Sequence, residues 1–313
     1  MSFRVLIYGL IWLSTLPIQS LAISKTTYKD AVGHSVQVSA TPRRIVSLSP
    51  NLTEMLFAIG VRRERIVGVT RYCNFPPEVA GIHVVGGIVD PSVEGILAID
   101  PDLVLATRGN PVAVQDQIRR VGIPVYAFDS QGGMDTVVDT MRRMIDLVAP
   151  DDTAQAGRTL RDFERRLTRL RRTSGAIAQA AHPTVYYFDP ASPDWTAGPG
   201  THVSEAIALA GGRNVADDAP VAWPKYGTEV LVEKQPAWIL VAASDADTGQ
   251  TSHDALVASL RARPGWRGLR AVQDGRICLV PEDWLMRPGP RVLLAIRSLG
   301  RCIHPDLDWG DAR

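Results

Sequence analysis

The residues best placed to hold something are aromatic side chains set beside proline and aspartate, outside any helix or strand pattern. Tyr72-Cys73-Asn74-Phe75-Pro76-Pro77, Asp194-Trp195, Trp223-Pro224 and Asp283-Trp284 form such groups. Rings on loops offer flat, partly apolar surface, and several together suit a large, flat ligand. Trp238 and Trp266 read instead as packing residues of the core. Catalytic patterns fail in turn. There is no Gly-x-Ser-x-Gly turn and no His-Glu-x-x-His. Gly198-Pro199-Gly200 lacks the third glycine of a dinucleotide fingerprint. Asp245-Ala246-Asp247-Thr248-Gly249 lacks the third ligand and closing glutamate of a calcium loop. His34, His83, His182, His202, His253 and His304 are scattered singly. No catalytic residue and no metal-ligand set is assigned, and the chain reads as a binder.

Loops make a site only if elements aim them. From Arg44 onward, short β-branched runs alternate with helical patterns. Ile45–Leu48, Ile66–Val69, Leu103–Ala106 and Pro124–Phe128 read as strands, with helices near 92–99, 112–121 and 134–148. Asn51-Leu52-Thr53-Glu54 offers a capping pair for a further helix, which Gly60 stops. Apolar positions Ala156, Leu160, Phe163, Leu167, Leu170 and Ile177 then form one stripe, with Arg158, Arg161, Arg165, Arg169 and Arg172 outside it. This predicts a single helix over 151–182, opened at Pro150-Asp151-Asp152 and ended by Pro183, about 45 Å long at 1.5 Å per residue. Strands at Thr184–Phe188, Ala237–Val241 and Arg276–Val280 follow, with helices near 202–210, 228–235, 253–262 and 290–300. The expected fold is α/β: an N-terminal lobe over 23–150 and a C-terminal lobe over 183–313, each βα-alternating, joined by one long helix. In open parallel sheets the loops at the carboxyl ends of strands form the ligand crevice, so loops of both lobes are expected to line one cleft.

The lobes share a repeat. Glu94-Gly95-Ile96-Leu97-Ala98-Ile99-Asp100-Pro101 precedes the strand at Leu103, and Glu229-Val230-Leu231-Val232-Glu233-Lys234-Gln235-Pro236 precedes the strand at Trp238. Each places a glutamate on the first turn of an equivalent helix. The helix dipole also favours a carboxylate there, but the matched spacing points to a shared functional role.

Composition bounds the remaining possibilities. The 313 residues are 45% hydrophobic and 21% charged, which excludes a largely disordered chain. A net charge of +1, from 34 basic and 33 acidic residues, gives no footprint for nucleic acid. Arg4, the apolar run Val5–Leu13, and the small residues Ser20 and Ala22 read as a secretory signal over 1–22. The apolar run is shorter than the ~20 residues of a bilayer span, and no cysteine adjoins the cleavage point. An exported, soluble protein without a lipid anchor is expected. Cys278 and Cys302 are the pair to test for a disulfide, with three buried thiols (Cys73 included) as the other arrangement.

Arg44-Ile45-Val46-Ser47-Leu48-Ser49-Pro50 followed by Thr53-Glu54-Met55-Leu56-Phe57-Ala58-Ile59-Gly60 resembles the opening of the periplasmic iron-chelate and cobalamin-binding proteins of ABC importers, and the similarity runs from about residue 42 to 302. The resemblance implies a ligand held between two lobes with little closure. The cobalamin (vitamin B12) branch is the most similar. Its aromatic-x-acid-aromatic-proline loop is matched by Tyr72–Pro77, with Asn74 in place of the acid; Val221–Pro224 and Asp283–Arg287 match further ligand loops, and Trp195 another. The resemblance thus implies Tyr72, Phe75, Trp195, Trp223 and Trp284 packing on a cobalt corrinoid, with Asp283 and Arg287 bonding its polar edges. It also implies Glu94 and Glu229 docking a permease dimer that works with its ATPase, the receptor itself being a monomer. The tryptophans that the branch carries around Gly86-Gly87 and at Thr107 are missing, as is its cysteine pair, Ala210 and Gly300 standing in those places. Haem, with Tyr72 or Tyr226 as axial ligand, and a ferric siderophore, with Arg71, Arg108 or Arg287 in the cleft, are the alternative ligands. An exported enzyme or a ligand sensor using the same cleft is the alternative of a different class.

Overall fold

The computed structural model describes residues 25–244 and 252–310. The expected signal segment 1–22 and the Asp245–Gly249 stretch lie outside the described residues.

The chain enters through a hairpin that the sequence pattern does not announce, β1 (Lys25–Lys29) paired antiparallel with β2 (Ser35–Ser39). Gly33 turns it at φ +94°, and the Ala31 amide ties its tip to the Ala127 carbonyl. The first lobe then runs β3 (Ile45–Ser47), α1 (Pro50–Ala58), β4 (Ile66–Val69), β5 (His83–Val84), α2 (Val93–Ala98), β6 (Leu103–Thr107), α3 (Val112–Arg120), β7 (Val125–Phe128) and α4 (Met134–Val148). Its strands form a parallel sheet in the order β5-β4-β3-β6-β7. Helix α5 (Thr153–Gly175) links it to β8 (Thr184–Phe188), α6 (His202–Leu209), β9 (Arg213–Asn214), α7 (Thr228–Lys234), β10 (Trp238–Ala243), α8 (His253–Ala262), α9 (Arg270–Gln273), β11 (Ile277–Pro281), α10 (Glu282–Leu285) and α11 (Val292–Ile303). The second sheet is parallel in the order β11-β10-β8-β9.

Read from the other edge, β9-β8-β10-β11 repeats the β4-β3-β6-β7 order of the first sheet. The sequence repeat is therefore a topological one. α2 leads into β6 and α7 into β10, and each ends on a residue in the left-handed region, Asp100 (φ 44°) and Gln235 (φ 41°), directly before a proline. Ala149 (φ 42°) before Pro150 does the same at the end of α4. A proline cannot continue a helix, so it enforces each stop.

Alternation along the buried strands builds the core. Leu103 and Leu105 of β6, Val185 and Tyr187 of β8, and Leu240 and Ala242 of β10 face one central cluster. Val104 and Ala106 face a second cluster outside the first sheet, while Tyr186, Phe188, Ile239 and Val241 face a third outside the second sheet. The central cluster joins both lobes through Ala156, Phe163, Leu167 and Leu170 of α5, together with residues of α1, α4, α6 and α11. Such a continuous core resists rotation of one lobe against the other. Glu205 of α6 adds a polar tie by accepting a hydrogen bond from the Met134 amide at the start of α4 (2.6 Å).

Two local readings change, and the disulfide alternatives are resolved in favour of the first. α1 begins at Pro50 with Ser49 as its N-cap, and Glu54 takes no part in capping. Proline at the first helical position lacks the N–H that would need a cap, so it starts the helix ahead of Asn51. α5 ends at Gly175, not at Pro183, and its 23 residues span about 35 Å. Thr173, Ser174 and Gly175 are weak helix formers that let it stop early, and Ile177 packs on the same core from beyond the helix. Cys278 of β11 and Cys302 of α11 form a disulfide across a separation of 24 residues, which leaves Cys73 a buried free thiol. Closing a loop of that length stabilises the fold by about 3 kcal/mol in the chain-entropy treatment.

Candidate functional site

Both sheets turn their carboxyl edges toward a cleft between the lobes, whose floor encloses about 410 Å³. Ser49, Pro50 and Asn51 reach it after β3, Tyr72 after β4, and Thr107 from the end of β6. His202 after β8, Trp223 after β9, and Glu282, Met286 and Arg287 after β11 come from the other lobe. The two lobes contribute equivalent positions. Ser49 stands at the N-cap position of α1, without a side-chain capping bond, and Pro50 follows; Thr201 caps α6 by accepting from the Ser204 amide (3.1 Å) and His202 follows.

Of the residues expected to touch ligand, Tyr72, Trp223 and Arg287 line this floor. Tyr72 is 47% exposed and Trp223 37%, so two large rings from opposite lobes face solvent at one cleft. Trp195 stands beside the floor: it pairs with Lys225 in a β-bridge, and the Lys225 ammonium lies 4.9 Å from its ring centroid. Trp284 is half-buried against the central core. Phe75 is exposed but covered on one face by the Arg291 guanidinium, 4.1 Å from its centroid.

Asp283 and Arg287 are engaged with each other and with the opposite lobe. They form an ion pair at 2.7 Å. Asn74 donates to Asp283 Oδ2 (3.0 Å) and accepts from Arg287 (2.6 Å). An amide can make both bonds, whereas an ionised acid at position 74 could only accept and would repel Asp283. Beneath this contact Arg291 clasps Glu54 through two bonds, 2.9 and 2.6 Å, between side chains that are 11% and 2% exposed. Burial raises the Glu54 pKa, while the Arg291 bonds and charge pull it down. Burial likewise raises the Glu282 carboxyl, helped by Asp189 and Asp283. The sequence pattern showed none of this clasp, because its partners are 209 to 237 residues apart.

The other expected groups are placed as follows. Arg71 pairs with Asp90 through two bonds, and a Cβ at Gly87 would fall 2.1 Å from the Asp90 carboxylate, so that pair occupies the space a tryptophan would need. Arg108 pairs with Asp129 at 3.3 Å. Tyr226 donates to Asp218 (3.3 Å) and packs on the outer cluster of the second lobe, off the cleft floor. Glu94 and Glu229 are exposed on the first turns of α2 and α7. Those helices follow β5 and β9, so both carboxylates start from the sheet edge that carries the cleft loops.

His202 is the floor residue that pattern reading passed over. It is buried, and its ring meets Trp223 edge-on at 6.4 Å between centroids. Only the structure shows that His202 stands where Pro50 stands in the first lobe, each directly after the N-cap of the helix that follows an equivalent strand. Burial holds the imidazole down at about 4, against 6.5 ordinarily. Between those values the unfolded chain binds the proton and the folded chain does not, so stability falls as pH drops through that window. The loss approaches about 3 kcal/mol at the acid end. Urea unfolding at about pH 7 and about pH 4.5 checks this, with His202→Phe expected to lose that part of the pH dependence.

A family model described as periplasmic binding protein matches residues 45–284. The chain belongs to the periplasmic binding protein family. Among similar members, the vitamin B12-binding protein of Pectobacterium carotovorum is 31% identical over 261 residues, which cover 83% of this chain and 88% of that one. The crystal structure of the periplasmic vitamin B12-binding protein of Vibrio cholerae superposes with a TM-score of 0.69 at 27% identity, covering 84% of this chain and 96% of that one. The periplasmic heme-binding protein of Roseiflexus sp. RS-1, in apo form, gives 0.70 at 27% identity, covering 84% and 98%. Two βα lobes about a connecting helix are thus a periplasmic binding protein fold. Among the described residues no helix is long and apolar enough to cross a membrane.

Proposed function

We propose that this periplasmic binding protein captures cobalamin or a related corrinoid between its lobes and delivers it to the permease dimer of an ABC importer driven by its ATPase. The reading rests on one observation above the others: Tyr72 and Trp223, from opposite lobes, expose their rings at a single cleft. Exposed rings lining one groove cost solvation unless a flat, partly apolar partner covers them. The vitamin B12-binding relatives supply the ligand class. Trp195 and Phe75 extend the aromatic surface beyond the floor, where a ligand larger than the floor would reach. Asp283 and Arg287 act first in joining the lobes and present their remaining edges to the ligand. Glu94 and Glu229 dock the two halves of the permease, one contact per lobe. The protein works as an exported, soluble monomer without a lipid anchor, and it is a receptor, not an enzyme.

Haem is the second reading, because the heme-binding relative is about as similar in fold and Tyr72 places a phenol oxygen at the cleft as an axial ligand. Titration of tryptophan fluorescence with cyanocobalamin, cobinamide, hemin and a ferric siderophore, each confirmed by calorimetry, separates them. Saturable one-to-one binding of the corrinoids is the expected result. Tight hemin or siderophore binding without corrinoid binding would keep the family and overturn the ligand.

A further inference from the structure

Asp283 and Arg287 already hold a group of the protein's own that has the chemistry of a ligand amide. The Asn74 carboxamide donates through Nδ2 to Asp283 Oδ2 (3.0 Å) and accepts through Oδ1 from the Arg287 guanidinium (2.6 Å). A carboxylate only accepts and a guanidinium only donates, so the two partners fix which amide atom is which. Asp283 and Arg287 are held by their own ion pair at 2.7 Å, with Arg291 3.8 Å from Asp283. An acceptor and a donor spaced in this way match one edge of a primary amide. Their side chains are 23% and 18% exposed, and Arg287 lines the cleft floor, so the edge stands at the margin of the cleft.

We propose that Asp283 and Arg287 form a primary-amide subsite, which Asn74 fills in the free protein and an amide arm of the bound corrinoid takes over. The proposal rests on the corrinoid reading above and names the group that the ligand displaces. Corrinoids carry peripheral primary amides, whereas haem carries propionates. An arriving amide remakes both bonds, and Asn74, exposed on its loop, turns out to water. A carboxylate arm could accept from Arg287 but would meet Asp283 with like charge, so it cannot take the place of Asn74 in kind. The lobes stay joined during the exchange. Arg291 keeps its two bonds to Glu54, and the Asn51 amide keeps the Pro288 carbonyl (3.3 Å). Asn74 is therefore an internal competitor that lowers affinity for amide-armed rings.

The test compares two ligands that share one ring, dicyanocobinamide with amide arms and dicyanocobyrinic acid with carboxylate arms. In both, the cyanides fill the axial positions of the metal. By calorimetry, Asn74→Ala is expected to bind dicyanocobinamide about three- to tenfold more tightly than wild type, because no internal bonds have to be broken first. Its affinity for the acid is expected to stay within about twofold. Melting curves give a second readout. The free variant is expected to melt below free wild type, and the two dicyanocobinamide complexes together, because Asn74 stabilises only the unliganded state. Asn74→Gly carries the same comparisons where Asn74→Ala does not fold. Weaker dicyanocobinamide binding by a folded variant would make Asn74 a positioning residue and overturn the proposal, as would unchanged binding. An equal gain for both ligands would mean that the contact restrains the lobes without standing in for an amide, and would overturn it too. Failure of the wild type to bind any corrinoid would instead overturn the functional reading, and this proposal with it.

Discussion

Replacing Glu94 and Glu229 together by alanine is expected to abolish import while leaving ligand affinity unchanged. Both side chains are exposed on the first turns of short helices that the lobe repeat places equivalently. Within the folded chain each contributes only the dipole interaction of a first-turn carboxylate, about 0.3–1 kcal/mol. Neither lines the cleft floor. At a permease surface the same carboxylates become partners for cationic side chains. Truncating one member of a desolvated charged pair costs about 2–5 kcal/mol. Losing two such contacts therefore weakens docking by about a thousandfold or more, while single variants keep partial transport. Uptake of labelled cobalamin into cells or proteoliposomes, with the same purified variants titrated for ligand binding, checks both halves of the statement. Lost ligand affinity in the double variant would refute the docking assignment.

Arg291→Met is expected to destabilise the protein by about 3–5 kcal/mol, with a fall in melting temperature on the order of 10 °C. The substitution strands the buried Glu54 carboxylate without the two bonds that now satisfy it. It also uncovers Phe75 and removes a cation 3.8 Å from Asp283. The cost of a broken buried pair comes mostly from the charge left behind, so Glu54→Leu combined with Arg291→Met is expected to recover much of the loss. Chemical unfolding of the two single variants and the double variant completes the cycle. Additive losses would mean that the pair is not a coupled unit. The clasp joins residues of both lobes above a core that is itself shared, so the same variants should loosen the fixed spacing of Tyr72 and Trp223 and weaken ligand binding.

Much of this molecule was legible along the chain. Helix α4 and strand β8 fall on the expected residues because their side-chain periods, 3.6 and 2, are local properties of the backbone. The lobe repeat was legible too, since proline-stopped helices of matched spacing imply matched topology. The β1–β2 hairpin was not, because its alternation is short and polar. The stop of α5 at Gly175 was missed because the apolar stripe continues through Ile177 after the helix has ended.

The site divides the same way. Sequence alone marked aromatic groups drawn from both lobes and placed all of them on loops, although Asp283 and Trp284 belong to the short helix α10. It could not tell which of them reach the floor. Trp223 does, whereas Trp284 turns into the core and Phe75 lies under Arg291. Nor could it show that Asn74, Asp283 and Arg287 bond one another, that Glu54 meets Arg291, that Cys278 meets Cys302, or that His202 is buried. The sequence by itself determined the elements, the doubled lobe and the kind of surface the loops carry, since these follow from patterns a few residues long. Only the docking of one lobe on the other decided the clasp, the depth of the floor and the burial of His202, because desolvation and hydrogen bonding depend on distance through space.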